Sequence, residues 1–292
     1  MSNPFDLADD DTYQRWRDAK LTSAPRTAAD LIVEVKDPRT LSSSEHAALS
    51  ARIKHCNMAI YASPMLEEDS DILRKLGAQF GLNQLDANWL AGEDGVSSIR
   101  VFDGGTRKHY IPYTDKPIKW HTDGYYNPPE RQIRAMVLHC VRDAASGGEN
   151  RLMDHELCYL KLRDENPAHI EALMRHDAMT IPERVDVADG VRAAQSGPVF
   201  SVDAQGDLHM RYTARTRSIE WKKDYATQTA VAALEALLAS DVPQVFNARL
   251  QPGMGLLCNN VLHDRSAFTD DAQQPRLLYR ARYLDRIVLG RA

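Results

Sequence analysis

From residue 97 onward the chain is a succession of short β-branched or alternating apolar runs set off by turn signals, and that texture narrows its fold more than anything else. The runs SIRVF, AMVLHCV, PVFSVD, LHMRYT, QVFNARL, MGLLCNN and RLLYRARYLD have the length and residue types of strands. Gln205-Gly206-Asp207 joins two alternating runs as a hairpin, and Gln251-Pro252-Gly253 places proline and then glycine where a type II turn wants them. Two helical stretches, roughly 154–175 and 227–239, interrupt the strands; the second sets Val231, Leu234 and Leu238 on one face. Hairpin order without βαβ alternation predicts a mainly β fold, a sandwich or jelly roll with helices packed outside.

Before residue 97 the periodicity is helical. Residues 44–54 read as a helix leading into the apolar run NMAIYAS, and Ile72, Leu73, Leu76 and Phe80 mark a second helix stopped at Gly81. No repeat, low-complexity tract or long Gly/Ser linker divides the chain. The expectation is one domain over 1–292, with helical elements in 1–95 and the β core over about 97–288.

Composition removes several classes. A chain of 292 residues with 43% hydrophobic and 26% charged residues can bury a sizeable core and is neither disordered nor collagenous. The net charge of -5 gives no electrostatic footprint for nucleic acid. No run reaches the roughly 18 apolar residues of a membrane span. The acidic amino terminus MSNPFDLADDDTYQRW lacks the basic start and apolar stretch of a secretory signal, so a cytoplasmic protein is expected, with self-association left open. Cys56, Cys140, Cys158 and Cys258 form no CxxC and read as buried thiols in a reducing compartment.

Phosphate-binding loops (GxGxxG, GxxxxGK[ST]), the esterase elbow GxSxG and the zincin HExxH are all absent. Ten histidines remain, and only two H-x-[DE] pairs occur, His121-Thr122-Asp123 and His169-Ile170-Glu171. On a helix, residues two apart project about 200° apart, so the second pair, in NPAHIEALM, reads as a helix surface. In the extended segment KPIKWHTDG, by contrast, i and i+2 share a face, so His121 and Asp123 can converge on a metal. His263, in CNNVLHDRSAF, is the natural third ligand. Two histidines and one carboxylate leave open positions on iron, as oxygen chemistry requires. The residues alone keep three uses of such a triad in play: an oxygenase, a non-catalytic metal-binding sensor or scaffold, and a metallohydrolase with a metal-bound water. Arg276, Arg280 and Arg282 share one face of the RLLYRARYLD strand, which calls for anions or an exposed surface.

WHTDG, then SGGEN at 146–150, then LHDRSAF with an arginine thirteen residues past the histidine and another four later, resembles the taurine/2,4-D dioxygenase-like (TauD/TfdA) family of Fe(II)- and 2-oxoglutarate-dependent oxygenases. The resemblance implies a double-stranded β-helix (jelly roll) with His121, Asp123 and His263 as iron ligands. It places Arg276 on the distal carboxylate of 2-oxoglutarate and Arg280 near its other carboxylate and the substrate. Asn150 stands where the family has threonine, and Leu257-Cys258 replaces a frequent Asp-Asn, leaving Asn259 and Asn260 as supporting candidates. The implied activity uses Fe(II), 2-oxoglutarate and O₂ to hydroxylate or otherwise oxidise a C–H bond of a small metabolite, releasing succinate and CO₂. Asp123 sits where halogenating relatives carry a small residue, which favours hydroxylation. Trp120, Tyr125, Tyr126 and Asn127 flank the ligand pair and are candidates for the substrate pocket, with ordinary aromatic packing as the alternative. Arg211 and Arg217 are candidates to fix an anionic substrate, against surface salt bridges.

Overall fold

A computed structural model describes residues 3–86, 92, 95–186 and 190–289. Two facing sheets carry the site. The larger has six strands in the spatial order Ile32–Glu34, Met58–Ala62, Met254–Cys258, Ala135–Arg142, Leu277–Tyr283 and Ser97–Ile99. Its pairs are antiparallel apart from the first, which is parallel. The smaller is antiparallel, with Phe246–Ala248, Asn150–Met153, Leu262–Arg265 and Ile118–His121 side by side.

Strand alternation explains how these layers cohere. Along Ala135–Arg142, Ala135, Val137 and Val141 face a helical layer, while Met136 and Cys140 face the smaller sheet. Both faces are buried, which is why AMVLHCV reads as an unbroken apolar run rather than an alternating one. After α1 (Asp10–Ser23), the outer layer is α2 (Ser43–Cys56) and α3 (Asp71–Gln79), which contribute Leu49, Ile53, Ile72, Leu73 and Leu76. Between the sheets lie Met136, Leu152, Leu256, Cys258 and Leu278. Beyond the smaller sheet, Trp120, Met153 and Leu262 pack on α4 (His155–Glu165), α5 (Pro167–Leu173) and α6 (Tyr225–Ala239). Each fully buried leucine of these layers contributes about 1.5–3 kcal/mol by leaving water. The buried Trp120 indole N–H donates to the Leu238 carbonyl at 3.1 Å and fixes the His121 strand to α6.

Local chemistry sets the element ends. Ser42 and Glu45 form a capping box on α2, and Asn57 closes it at φ 58°. The helix expected over 154–175 is two helices. Asn166 ends α4 and caps α5 by accepting from the Ala168 N–H, and Pro167, with no N–H to continue the ladder, starts the second. His169 lies on α5 as expected but is buried beside Glu165, not on the surface. The Gly206 and Gly253 turns stand as read, at φ 88° and 83°. SIRVF and LHMRYT form strands over Ser97–Ile99 and Leu208–Met210, and Thr213 adds an isolated bridge to His121. All four cysteines are buried free thiols. Among the described residues, no helix is long and apolar enough to cross a membrane.

Candidate active site

His121 and His263 face each other across the smaller sheet in direct register, with ring centroids 4.2 Å apart. Each imidazole Nδ1 lies 2.9 Å from the carbonyl two residues earlier in sequence, Lys119 and Val261 respectively. A carbonyl only accepts, so both rings carry a proton on Nδ1, which leaves Nε2 as the atom free to ligate. Burial and the neighbouring His121 push His263 down to about 4, so it is neutral and able to ligate at neutral pH.

Asp123 reaches the same place by a turn. The strand stops at His121, and Thr122 is tied to Tyr212 both through its N–H (3.0 Å) and through its hydroxyl, which accepts from the Tyr212 N–H (3.1 Å). Asn260, itself at φ 50°, clamps the backbone of Asp123: its side-chain oxygen accepts from the Asp123 N–H at 2.8 Å and its amide donates to the Asp123 carbonyl at 2.9 Å. Gly124 follows at φ 68°, and a Cβ there would overlap Ile133. Gly124→Ala must therefore accept a left-handed backbone and displace Ile133. It should lose about 2–4 kcal/mol in urea unfolding, and a loss under about 0.5 kcal/mol would show that the turn is not so constrained.

The ligand atoms of His121, Asp123 and His263 lie within 4.8 Å of one another. Asp123 Oδ2 is buried without a hydrogen bond, although Arg280 Nη1 stands 3.1 Å away and bonds Oδ1 at 3.3 Å. Burial alone would raise the Asp123 carboxyl, but the Arg280 guanidinium, the His121 contact and Arg282 hold it well below the usual range. Two imidazole nitrogens and one ionised carboxylate with a spare oxygen fit a hard divalent cation with open positions.

The three arginines of the Leu277–Tyr283 strand and its approach differ in their partners. Arg280 meets Asp123, and Arg282 meets Asp86 at 2.7 Å and the Tyr126 hydroxyl at 2.9 Å. Among the described residues, Arg276 meets no carboxylate. Its side chain lies over the Phe268 ring, its residue is 4% exposed, and its Nη1 has no hydrogen-bond partner. A buried guanidinium in that condition is costly unless a ligand supplies the anion, which fits the carboxylate of a 2-oxo diacid. Nearby, the SGGEN segment passes at φ 74° over the Ala267 carbonyl, so close that Gly147 has no room for a Cβ. The Asn150 amide donates to the Asp264 carbonyl at 2.7 Å.

Of the residues expected to meet substrate, Tyr125 and Tyr126 pack edge to face at 5.2 Å beside Asp123. The Asn127 amide closes its own turn on the Arg131 carbonyl at 2.9 Å. Arg211 is neither on the surface nor in an ion pair. Its N–H groups go to the carbonyls of Tyr125, Met179 and Gln195 at 2.7, 3.1 and 2.7 Å, and burial pushes it down to about 10. Arg217 is exposed in the turn Thr216–Ser218. The sequence reading passed over Arg265, two residues beyond His263. It is buried and its Nη2 donates to the carbonyls of Thr114 and Lys116, both at 2.6 Å, pinning that segment to the His263 strand. The signal was strand parity, since i and i+2 share a face.

Comparison with known proteins places these observations. Residues 67–282 match the model of the family described as "Taurine catabolism dioxygenase TauD, TfdA family". Uridine-5'-phosphate dioxygenases from Amycolatopsis sp and Streptomyces sp are 33% identical over 204 and 182 residues, which is 62% and 61% of this chain and 72% and 65% of theirs. The fold is similar to that of an asparagine oxygenase solved with Fe(II), 3-hydroxyasparagine and succinate (TM-score 0.60, 14% identity, 100% of this chain and 92% of that one). It is similar also to a taurine dioxygenase from Burkholderia xenovorans (TM-score 0.58, 19% identity, 89% of each chain). The chain belongs to the TauD/TfdA family and is an Fe(II)- and 2-oxoglutarate-dependent dioxygenase.

Proposed function

We propose that the 1–292 chain is a single dioxygenase domain of double-stranded β-helix form that oxidises a C–H bond of a small phosphorylated metabolite, a nucleoside 5′-phosphate being the favoured class. The observation that carries the iron and 2-oxoglutarate roles is the pairing of a buried His121/Asp123/His263 triad with an Arg276 guanidinium that has no anion of its own. A structural metal site or a metallohydrolase has no use for that second feature. The substrate class is supported by the two uridine-5'-phosphate dioxygenases at 33% identity.

With iron and 2-oxoglutarate bound, the site supplies O₂ activation coupled to oxidative decarboxylation, yielding succinate and CO₂. This chain's residues do the rest. Both imidazoles are held in one tautomer by their backbone carbonyls, so no proton need move for them to ligate. Arg280 keeps Asp123 ionised, and the Asn260 clamp holds its backbone. Arg276 fixes the far carboxylate of the cosubstrate, and Asn150 can offer its second amide N–H to it. Tyr125 and Tyr126 wall the substrate side and limit water. Anaerobic addition of Fe(II) and 2-oxoglutarate should produce a visible charge-transfer band that needs both, and uridine 5′-phosphate should then drive succinate formation above the uncoupled rate. Absence of the band would remove the iron and cosubstrate assignments. Its presence without stimulation by uridine 5′-phosphate would remove only the substrate class.

A further inference from the structure

Among the described residues, one arginine outside both the triad and the cosubstrate arm, Arg192, is paired with no carboxylate. The strands Arg184–Asp186 and Gly190–Arg192 form an antiparallel ribbon in which Arg192 lies directly opposite Arg184. Directly opposed residues project from one face with Cβ atoms about 4.5–5.5 Å apart. Arg192 stacks over the Tyr126 ring at 4.9 Å and Arg184 over the Tyr110 ring at 5.3 Å. A guanidinium whose face lies on a ring keeps its edge N–H groups for an oxyanion. The Nε of Arg192 is buried without a hydrogen bond, and among the described residues no carboxylate pairs with this side chain.

Its position is tied to the iron centre through short links. Tyr126 is three residues from Asp123, and its hydroxyl is held by Arg282, two residues beyond the Arg280 that pairs with Asp123. Arg192 thus stands one aromatic ring away from the ligand cluster. Of the buried arginines there, Arg280 and Arg282 meet carboxylates, and Arg211 and Arg265 meet backbone carbonyls.

We propose that Arg192 is the anion subsite that takes the phosphate group of the substrate, with the Tyr126 ring as the platform between that phosphate and the iron centre. This deepens the reading of the substrate as a phosphorylated metabolite and rests on it. The test uses the anaerobic Fe(II)·2-oxoglutarate enzyme and calorimetric titration with uridine 5′-phosphate, uridine and methyl phosphate. Arg192→Ala should weaken binding of both phosphate compounds roughly tenfold or more and leave uridine binding unchanged, and Arg192→Lys should restore part of the loss. In turnover the effect should fall on KM for uridine 5′-phosphate, with kcat nearly kept. The charge-transfer band in each variant reports that the iron site is assembled; should Arg192→Ala lack it, Arg192→Gln takes its place. Equal affinity of wild type and Arg192→Ala for both phosphate compounds, or failure of both to bind the wild type, overturns the subsite. Turnover of uridine 5′-phosphate with KM unchanged in Arg192→Ala overturns the subsite and leaves the substrate class standing. Loss of methyl phosphate binding in Arg192→Ala without turnover of uridine 5′-phosphate keeps the subsite and removes the nucleotide.

Discussion

Alanine at His121, Asp123 or His263 should abolish 2-oxoglutarate-dependent succinate formation and weaken Fe(II) binding more than about a hundredfold, since loss of a mere supporting partner of a metal ligand already costs roughly 10–100-fold. The three variants should not be equivalent in stability. His263 is held neutral in the fold, and its removal leaves no buried charge behind. Asp123→Ala, by contrast, strips the counter-charge from Arg280, whose side chain is nearly buried, and stranding one partner of a buried pair costs about 3–5 kcal/mol. Asp123→Asn keeps the shape and loses the charge, and separates the ligand effect from packing. Iron content after anaerobic gel filtration and urea unfolding of each variant measure the two consequences. Wild-type activity in any alanine variant would take that residue out of the triad. Equal stability of Asp123→Ala and His263→Ala would show that the Arg280 pair contributes little.

The triad was legible in sequence, yet partly for a different reason than the one that holds in the fold. Spacing put His121 and Asp123 on one face of an extended segment, whereas the strand ends at His121 and Asp123 is delivered by a turn. What fixes that turn is Asn260, 137 positions away, together with the left-handed Gly124. Such a contact has no periodic signature and could be named only as a candidate. The same limit governs the arginines. Strand parity set Arg276, Arg280 and Arg282 together, but the ladder slips register between Leu277 and Leu278. Which guanidinium meets Asp123, which meets Asp86 and which is left open depends on partners from the rest of the chain. Arg211 is the sharpest miss, because an arginine caged by three carbonyls looks in sequence like any exposed one. The layers themselves were readable, since turn residues and β-branched runs are local. The split at Asn166–Pro167 was missed although its signal is local, since a proline inside a helical pattern is a stop.

Arg276→Ala should raise the apparent constant for 2-oxoglutarate roughly tenfold or more, because a charge-assisted contact in a buried site is worth about 1.5–3 kcal/mol. The guanidinium is preorganised for this: it lies against Phe268, has no carboxylate of its own, and keeps Nη1 buried and unused. Burial also lowers its affinity for the proton, which marks an unmet charge awaiting an anion. Arg276→Lys should rescue poorly, since an ammonium lacks the planar fork that matches a carboxylate. Arg280→Ala should behave differently. Its loss frees Asp123 from the cation that holds it ionised, so the deficit should appear as weaker iron retention and as poorer coupling of 2-oxoglutarate decay to substrate oxidation, with a smaller change in the 2-oxoglutarate constant. Steady-state kinetics of both alanine variants, with 2-oxoglutarate varied at saturating Fe(II) and the succinate-to-product ratio followed, separate the two roles. If Arg276→Ala leaves the 2-oxoglutarate constant unchanged while Arg280→Ala raises it tenfold, the two arginines exchange assignments, and the cosubstrate lies along the Asp123 side of the strand instead of reaching toward Phe268.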